Sequence, residues 1–66
     1  MDDGVQMKFR DREFSIPSGI TVREAILAVG LAPETILAVR NGRLVPDDAV
    51  LQPGETLKLV QIISGG

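Results

Sequence analysis

Thr21 to Gly30 is the stretch that most limits what this chain can become. Thr21 reads as a helix N-cap, and Glu24 three residues on completes a capping box. Val22, Ala25, Ile26 and Val29 recur at i, i+3, i+4 and i+7, which is one face of a helix. Gly30 stands where a left-handed C-cap glycine belongs, with Leu31 placed to fold back on the helix end. Pro33 then stops the helix. The rest of a 66-residue chain must bury this one short apolar stripe. A domain of that size buries only about 60% of its unfolded surface, so every local signal has to agree with the fold.

The flanking segments read as strands. Val5, Met7 and Phe9 alternate with Gln6, Lys8 and Arg10, the period-two pattern of a half-buried strand. After the polar break Arg10-Asp11-Arg12, Phe14 and Ile16 alternate with Glu13 and Ser15, giving the second arm of a hairpin that Pro17-Ser18-Gly19 ends. Ile36 to Val39 is a short continuous apolar run, read as a strand buried on both faces. Asn41-Gly42 signals a type I′ turn, because both residues tolerate positive φ. Leu44 and Val45 make a brief return strand that Pro46 terminates. Asp47 to Val50 is a turn or a single helical turn, Pro53-Gly54 is another turn, and Thr56 to Ile62 is the last and longest strand.

The order is therefore strand, strand, helix, strand, strand, strand. The first and last strands lie side by side in the centre, against the helix. The expected core is Val5, Met7, Phe9, Phe14, Ile16, Val22, Ala25, Ile26, Val29, Leu37, Val39, Leu57 and Leu59. This is an α+β fold, a β-grasp (ubiquitin-like) roll with a four- to five-stranded mixed sheet packed on one helix. Residues 1–63 form the domain and 64–66 a flexible C-terminal tail.

If Leu57 and Leu59 face the helix, Lys58, Val60 and Ile62 point the other way. Lys58 suits a solvated face, whereas Val60 and Ile62 do not. Either loop residues such as Val50 and Leu51 cover them, or they form an exposed apolar patch for a partner. Ile63 belongs to either arrangement. Arg40 and Arg43 flank the Asn41-Gly42 turn, as edge-strand charges that discourage aggregation or as contacts for an acidic partner.

Composition removes most catalytic chemistry. Cys and His are both absent, so the chain has no thiol nucleophile, no disulfide, and no thiolate or imidazole to ligate a metal. Ser15, Ser18 and Ser64 have no His to activate them. Trp and Tyr are missing too, and with a net charge of −2 the chain lacks the basic, aromatic footprint of a nucleic-acid binder. Asp47-Asp48 reads as a solvated turn and not a metal site. The glycines are dispersed among turns and caps and form no phosphate loop. No apolar run reaches membrane-spanning length. The acidic start Met1-Asp2-Asp3-Gly4 lacks the layout of a signal peptide, so a cytoplasmic protein is expected. On its own the chain is expected to be a monomer.

What remains is the end of the chain. Ser64-Gly65-Gly66 follows the apolar strand directly. Terminal glycines have no side chains to obstruct entry into a narrow site. From Ile63 to Gly66 an extended chain reaches on the order of 10 Å. A terminal carboxylate is ionised at neutral pH and a poor electrophile until something activates it.

The segment Val39-Arg40-Asn41-Gly42-Arg43-Leu44-Val45-Pro46, the Pro53-Gly54-Glu55 turn and the ending Val60-Gln61-Ile62-Ile63-Ser64-Gly65-Gly66 resemble the ThiS/MoaD family of ubiquitin-like sulfur carriers. The resemblance covers nearly the whole chain. Asn41 to Pro46 and the approach Gln61-Ile62-Ile63 are similar to the ThiS branch, which serves the thiazole of thiamine. The paired prolines that usually precede the glycines in the molybdopterin branch are absent. Ala32-Pro33-Glu34-Thr35 and the Ser-Gly-Gly ending also resemble the branch that supplies sulfur for tRNA 2-thiouridine.

The resemblance implies a carrier and not an enzyme. The Gly66 carboxylate is adenylated by an ATP-dependent partner related to ubiquitin-activating enzymes and converted to a thiocarboxylate. Its sulfur then goes to an acceptor synthase or a tRNA thiolase. The chain itself binds no cofactor or metal, contacts no nucleic acid directly and needs no membrane. Val60, Ile62 and Ile63 are the expected partner contacts, and Ser64, Gly65 and Gly66 the tail. The rival expectation is a ubiquitin-like modifier joined to protein lysines through Gly66.

Overall fold

In the computed structural model, which describes residues 4–62, two hairpins and a final strand form one sheet over a single α-helix. Strand β1 (Gly4–Phe9) pairs antiparallel with β2 (Arg12–Pro17). Helix α1 (Val22–Ala28) follows, then a 3-10 turn (Pro33–Thr35). Strand β3 (Ile36–Arg40) pairs antiparallel with β4 (Arg43–Val45), and β5 (Thr56–Gln61) closes the sheet. The spatial order is β2-β1-β5-β3-β4, with β1 and β5 parallel in the centre. This is the expected β-grasp roll with five strands.

The helix ends as its sequence dictates. The Thr21 hydroxyl accepts from the Glu24 N–H at 3.1 Å, while the Glu24 carboxylate accepts from the Thr21 N–H at 2.9 Å. At the other end Gly30 takes φ +84°, the left-handed conformation that glycine adopts without strain. Its N–H donates to Leu27 and the Leu31 N–H to Ile26, so the last turn closes in a Schellman motif. The first helical amides find acceptors elsewhere: Val22 N–H donates to Ala49 O and Arg23 N–H to Asp47 O. The loop after β4 therefore lies under the helix start.

That loop carries the main addition to the expected core. Leu51, only 1% exposed, enters the core on the helix side, held by its own N–H to Ile20 O and by Gly19 N–H to Leu51 O. Val5, Met7, Ile16, Val22, Ala25, Ile26, Leu57 and Leu59 are buried as expected. Phe9, Phe14 and Val29 are half-buried and pack against the core from its rim.

Strand β3 is a correction. Leu37 and Val39 were expected in the core, with the strand buried on both faces. Instead Ile36 and Ala38 are buried, and Leu37 is 37% exposed. The reason is register. Ala38 pairs with Leu59 and Leu37 with Val60, and directly opposed residues of neighbouring strands share a face. Leu59 faces the helix, so Ala38 must too. Val45, opposite Ala38, completes that buried row. The expected strand also ran to Ile62, whereas β5 ends at Gln61. Ile62 still donates its N–H to Thr35 O at 2.7 Å. Ile63, Ser64, Gly65 and Gly66, including the whole expected tail, lie outside the described residues.

Candidate functional site

Outward residues of three neighbouring strands, on the sheet face turned away from the helix, make the site. On β5 the outward residues are Thr56, Lys58 and Val60, followed by Ile62 beyond the strand end. On β3 they are Leu37 and Val39, and on β4 Leu44. Leu37 sits opposite Val60, Val39 between Lys58 and Leu44. Val60 is 41% exposed, Ile62 43% and Leu44 66%. Leu37, Val60 and Ile62 thus put apolar surface next to the place where the chain runs on to residue 63, and Val39 and Leu44 continue it in the row of Lys58.

The alternative in which Val50 and Leu51 cover Val60 and Ile62 does not occur. Leu51 is spent on the helix-side core, and Val50, bridged to Thr21, is itself exposed. Leu37 and Leu44 are members of the patch that the sequence reading did not include. The apolar run Ile36 to Val39 has no alternation, so which parity faces out cannot be read from it. The type I′ turn does appear, with φ +54° at Asn41 and +78° at Gly42, and it sets Val39 opposite Leu44.

The end of β5 is braced from two sides. Ile62 is held to the 3-10 turn through its N–H, as above. From the other side, Arg10 donates from Nη2 to the Gln61 side-chain oxygen at 2.7 Å. The Arg10 guanidinium also lies 5.2 Å from the centre of the Phe9 ring, within cation–π range. Arg10 adopts φ +58°, an uncommon conformation for a residue with a side chain. The turn of the first hairpin is thereby tied to the last residue of the last strand.

Among the described residues two ion pairs form elsewhere on the surface. Arg40 is ion-paired with Glu55, whose carboxylate also accepts from the Gln52 N–H. Strand β3 is internal in the sheet, so Arg40 is not an edge-strand charge; Arg43, on β4, is. Arg23 and Asp47 form an exposed pair at 3.4 Å, of the kind that contributes about 0–1 kcal/mol. Among the described residues no group of three or more His, Cys, Asp or Glu gathers where a metal ion could be held. No helix there is long and apolar enough to cross a membrane.

Comparison with known proteins places this geometry. Residues 4–66 match the family model described as the ThiS family. The chain is 33% identical over 55 residues to the sulfur carrier protein TtuB of Thermus thermophilus, covering 83% of this chain and 85% of that one. It is 39% identical over 49 residues to an uncharacterised protein of Archaeoglobus fulgidus, covering 74% and 72%. Among solved structures it resembles the N-terminal ubiquitin-like domain of the 4931431F19Rik protein, with a TM-score of 0.70, 17% identity and coverage of 98% and 79%. A designed protein based on human erythrocytic ubiquitin gives a TM-score of 0.65, 23% identity and coverage of 100% and 98%. At such identities the structural likeness speaks for the fold alone.

Proposed function

This chain belongs to the ThiS family, and on that footing we propose that it is a sulfur carrier protein whose working group is the Gly66 carboxylate. The observation that carries the proposal is the extent of the family match, which runs through residue 66 and so includes the Gly-Gly end. The likeness to a named sulfur carrier of Thermus thermophilus supports it.

The proposed chemistry proceeds on the main-chain terminus. A carboxylate oxygen of Gly66 attacks the α-phosphorus of ATP inside an activating enzyme, and pyrophosphate leaves. The resulting acyl-adenylate is a good electrophile. Sulfide attacks its carbonyl carbon and displaces AMP, leaving a thiocarboxylate; a persulfide donor gives the same product once a thiol reduces the acyl disulfide. The terminal sulfur is then the nucleophile delivered to an acceptor enzyme, for thiamine thiazole or for tRNA 2-thiouridine. Such a carrier needs no cysteine or histidine of its own, in keeping with a chain that has neither. The apolar surface around Val60 and Ile62 is the proposed partner contact, with Ile63, which lies outside the described residues, proposed as a further contact, and Ser64, Gly65 and Gly66 are the segment proposed to be inserted.

Intact mass spectrometry tests this. The full chain is incubated with its adenylating enzyme, ATP and a sulfur donor. Replacement of one oxygen by sulfur is the expected result. Formation of higher-mass conjugates that require Gly66, without the oxygen-to-sulfur exchange, would instead make the chain a protein modifier. No mass change at all would defeat the carrier assignment.

A further inference from the structure

The two sides of β5 are supported unequally at its end. On the β3 side the register pairs continue to Gln61, opposite Ile36, and Ile62 then donates its N–H to Thr35 O. On the β1 side they stop at Leu59, opposite Phe9, because the chain turns back at Arg10 and Asp11 to start β2. Val60 and Gln61, the last two residues of β5, therefore have no register partner on β1. The Arg10 side chain reaches across that gap, where its Nη2 donates to the Gln61 side-chain oxygen at 2.7 Å.

The two hairpin turns of the chain differ in how they are made. The second uses Asn41-Gly42, residues that take positive φ readily. The first puts Arg10 at φ +58°, where a residue other than Gly, Asn or Asp is strained. The strained residue is the one whose side chain crosses to β5. Its guanidinium is held by two partners, the Gln61 oxygen and the Phe9 ring with its centre 5.2 Å away. Strain at a residue so engaged points to work done by its side chain.

We propose that Arg10 is a positioning residue for the tail: its bond to Gln61 fixes the direction in which the chain leaves the sheet toward Gly66. The inference rests on the carrier function proposed above. Gln61 lies on the helix-side face of β5, opposite buried Ile36, whereas Val60 and Ile62 lie on the other face. The bracing bond is thus made away from the apolar docking surface, so docking and aiming fall to different residues. From Ile63 to Gly66 the extended chain reaches on the order of 10 Å, and a swing of about 30° at its root displaces the terminus by roughly 5 Å. A loosely directed end spends less of its time in the reacting geometry, which lowers the rate of the step and not the affinity of the docked body.

The test uses the full chain, its adenylating enzyme and ATP, with kcat and KM for the carrier taken from pyrophosphate release. Arg10→Asn keeps a residue that accepts positive φ and removes the guanidinium. Gln61→Ala removes the acceptor. Both sites are exposed, so both variants should fold. Each should lower kcat roughly fivefold and leave KM within about twofold of the parent. The double variant should be no slower than either single one, because both remove the same bond. Gln61→Glu keeps an acceptor for the guanidinium and should lose less than Gln61→Ala. Parental kcat in both single variants would overturn the proposal. So would a loss confined to KM, or losses that add in the double variant, since either makes Arg10 and Gln61 direct contacts of the enzyme. A parent chain that is never adenylated would remove the carrier function and this inference with it, whereas a parent adenylated no faster than its variants would remove the inference alone.

Discussion

Leu37 and Val60 stand directly opposite each other on antiparallel strands, both facing away from the helix and both exposed. Neither contributes to the buried core, yet together with Ile62 and Leu44 they keep apolar surface in water. Replacing Leu37 and Val60 by Ser should change stability by no more than about 1 kcal/mol, as for surface sites generally. Conversion of the tail at limiting activating enzyme should fall severalfold. Thermal denaturation and intact-mass yield measure the two effects. A large drop in melting temperature with undiminished yield would make the patch structural.

Gly66 should matter for modification and not for folding. Deleting it, or making Gly66→Ala, should leave the urea midpoint where it was, while the adenylated and thiocarboxylated masses disappear. Parental yield from either variant would contradict the proposed role of the terminus.

The core should respond in the opposite sense. Leu57 and Met7, register partners on the central parallel strands, are fully buried. Leu57→Ala should cost about 2–5 kcal/mol through lost burial and a residual cavity. At roughly 0.05–0.15 kcal/mol per residue, a chain this size has only about 3–10 kcal/mol to lose. Urea titration should show a marginal or unfolded variant, whereas Leu44→Ala at the exposed edge should be nearly neutral.

Thr21→Ala removes the acceptor for the Glu24 N–H and half of the capping box. A loss of about 1 kcal/mol is expected in chemical denaturation. Glu24→Gln retains an acceptor for the Thr21 N–H and should cost less.

Arg10→Gly separates backbone strain from side-chain bracing. Glycine accepts φ +58° freely, which returns on the order of 1 kcal/mol. The bond to Gln61 and the contact with Phe9 are lost. Net stability should therefore move by less than about 1 kcal/mol, while amide hydrogen exchange at Ile62 speeds up. Unchanged protection at Ile62 would show that its bond to Thr35 needs no help from Arg10.

The chain's local chemistry was enough to determine the helix, the five strands and the class of fold, though not the 3-10 turn Pro33–Thr35. Thr21, Glu24, Gly30 and Pro33 bound the helix through interactions within a few residues, and Asn41-Gly42 dictates its turn through φ alone. Alternation in Val5 to Phe9 and in Leu57 to Leu59 states which side chains face the helix, because polar Gln6, Lys8 and Lys58 stand between the apolar residues. The Ser-Gly-Gly end is likewise a property of the sequence. Ile36 to Val39 offers no such contrast, so only pairing with β5 decided that Ile36 and Ala38 go inside while Leu37 and Val39 face out. The same holds for Leu51, whose burial depends on the loop after β4 supplying acceptors to the helix start. It holds also for Arg10 and Gln61, 51 positions apart and unremarkable separately. Parallel pairing of β1 with β5 makes them neighbours, and that proximity exists only once the chain's two ends meet in the centre of the sheet.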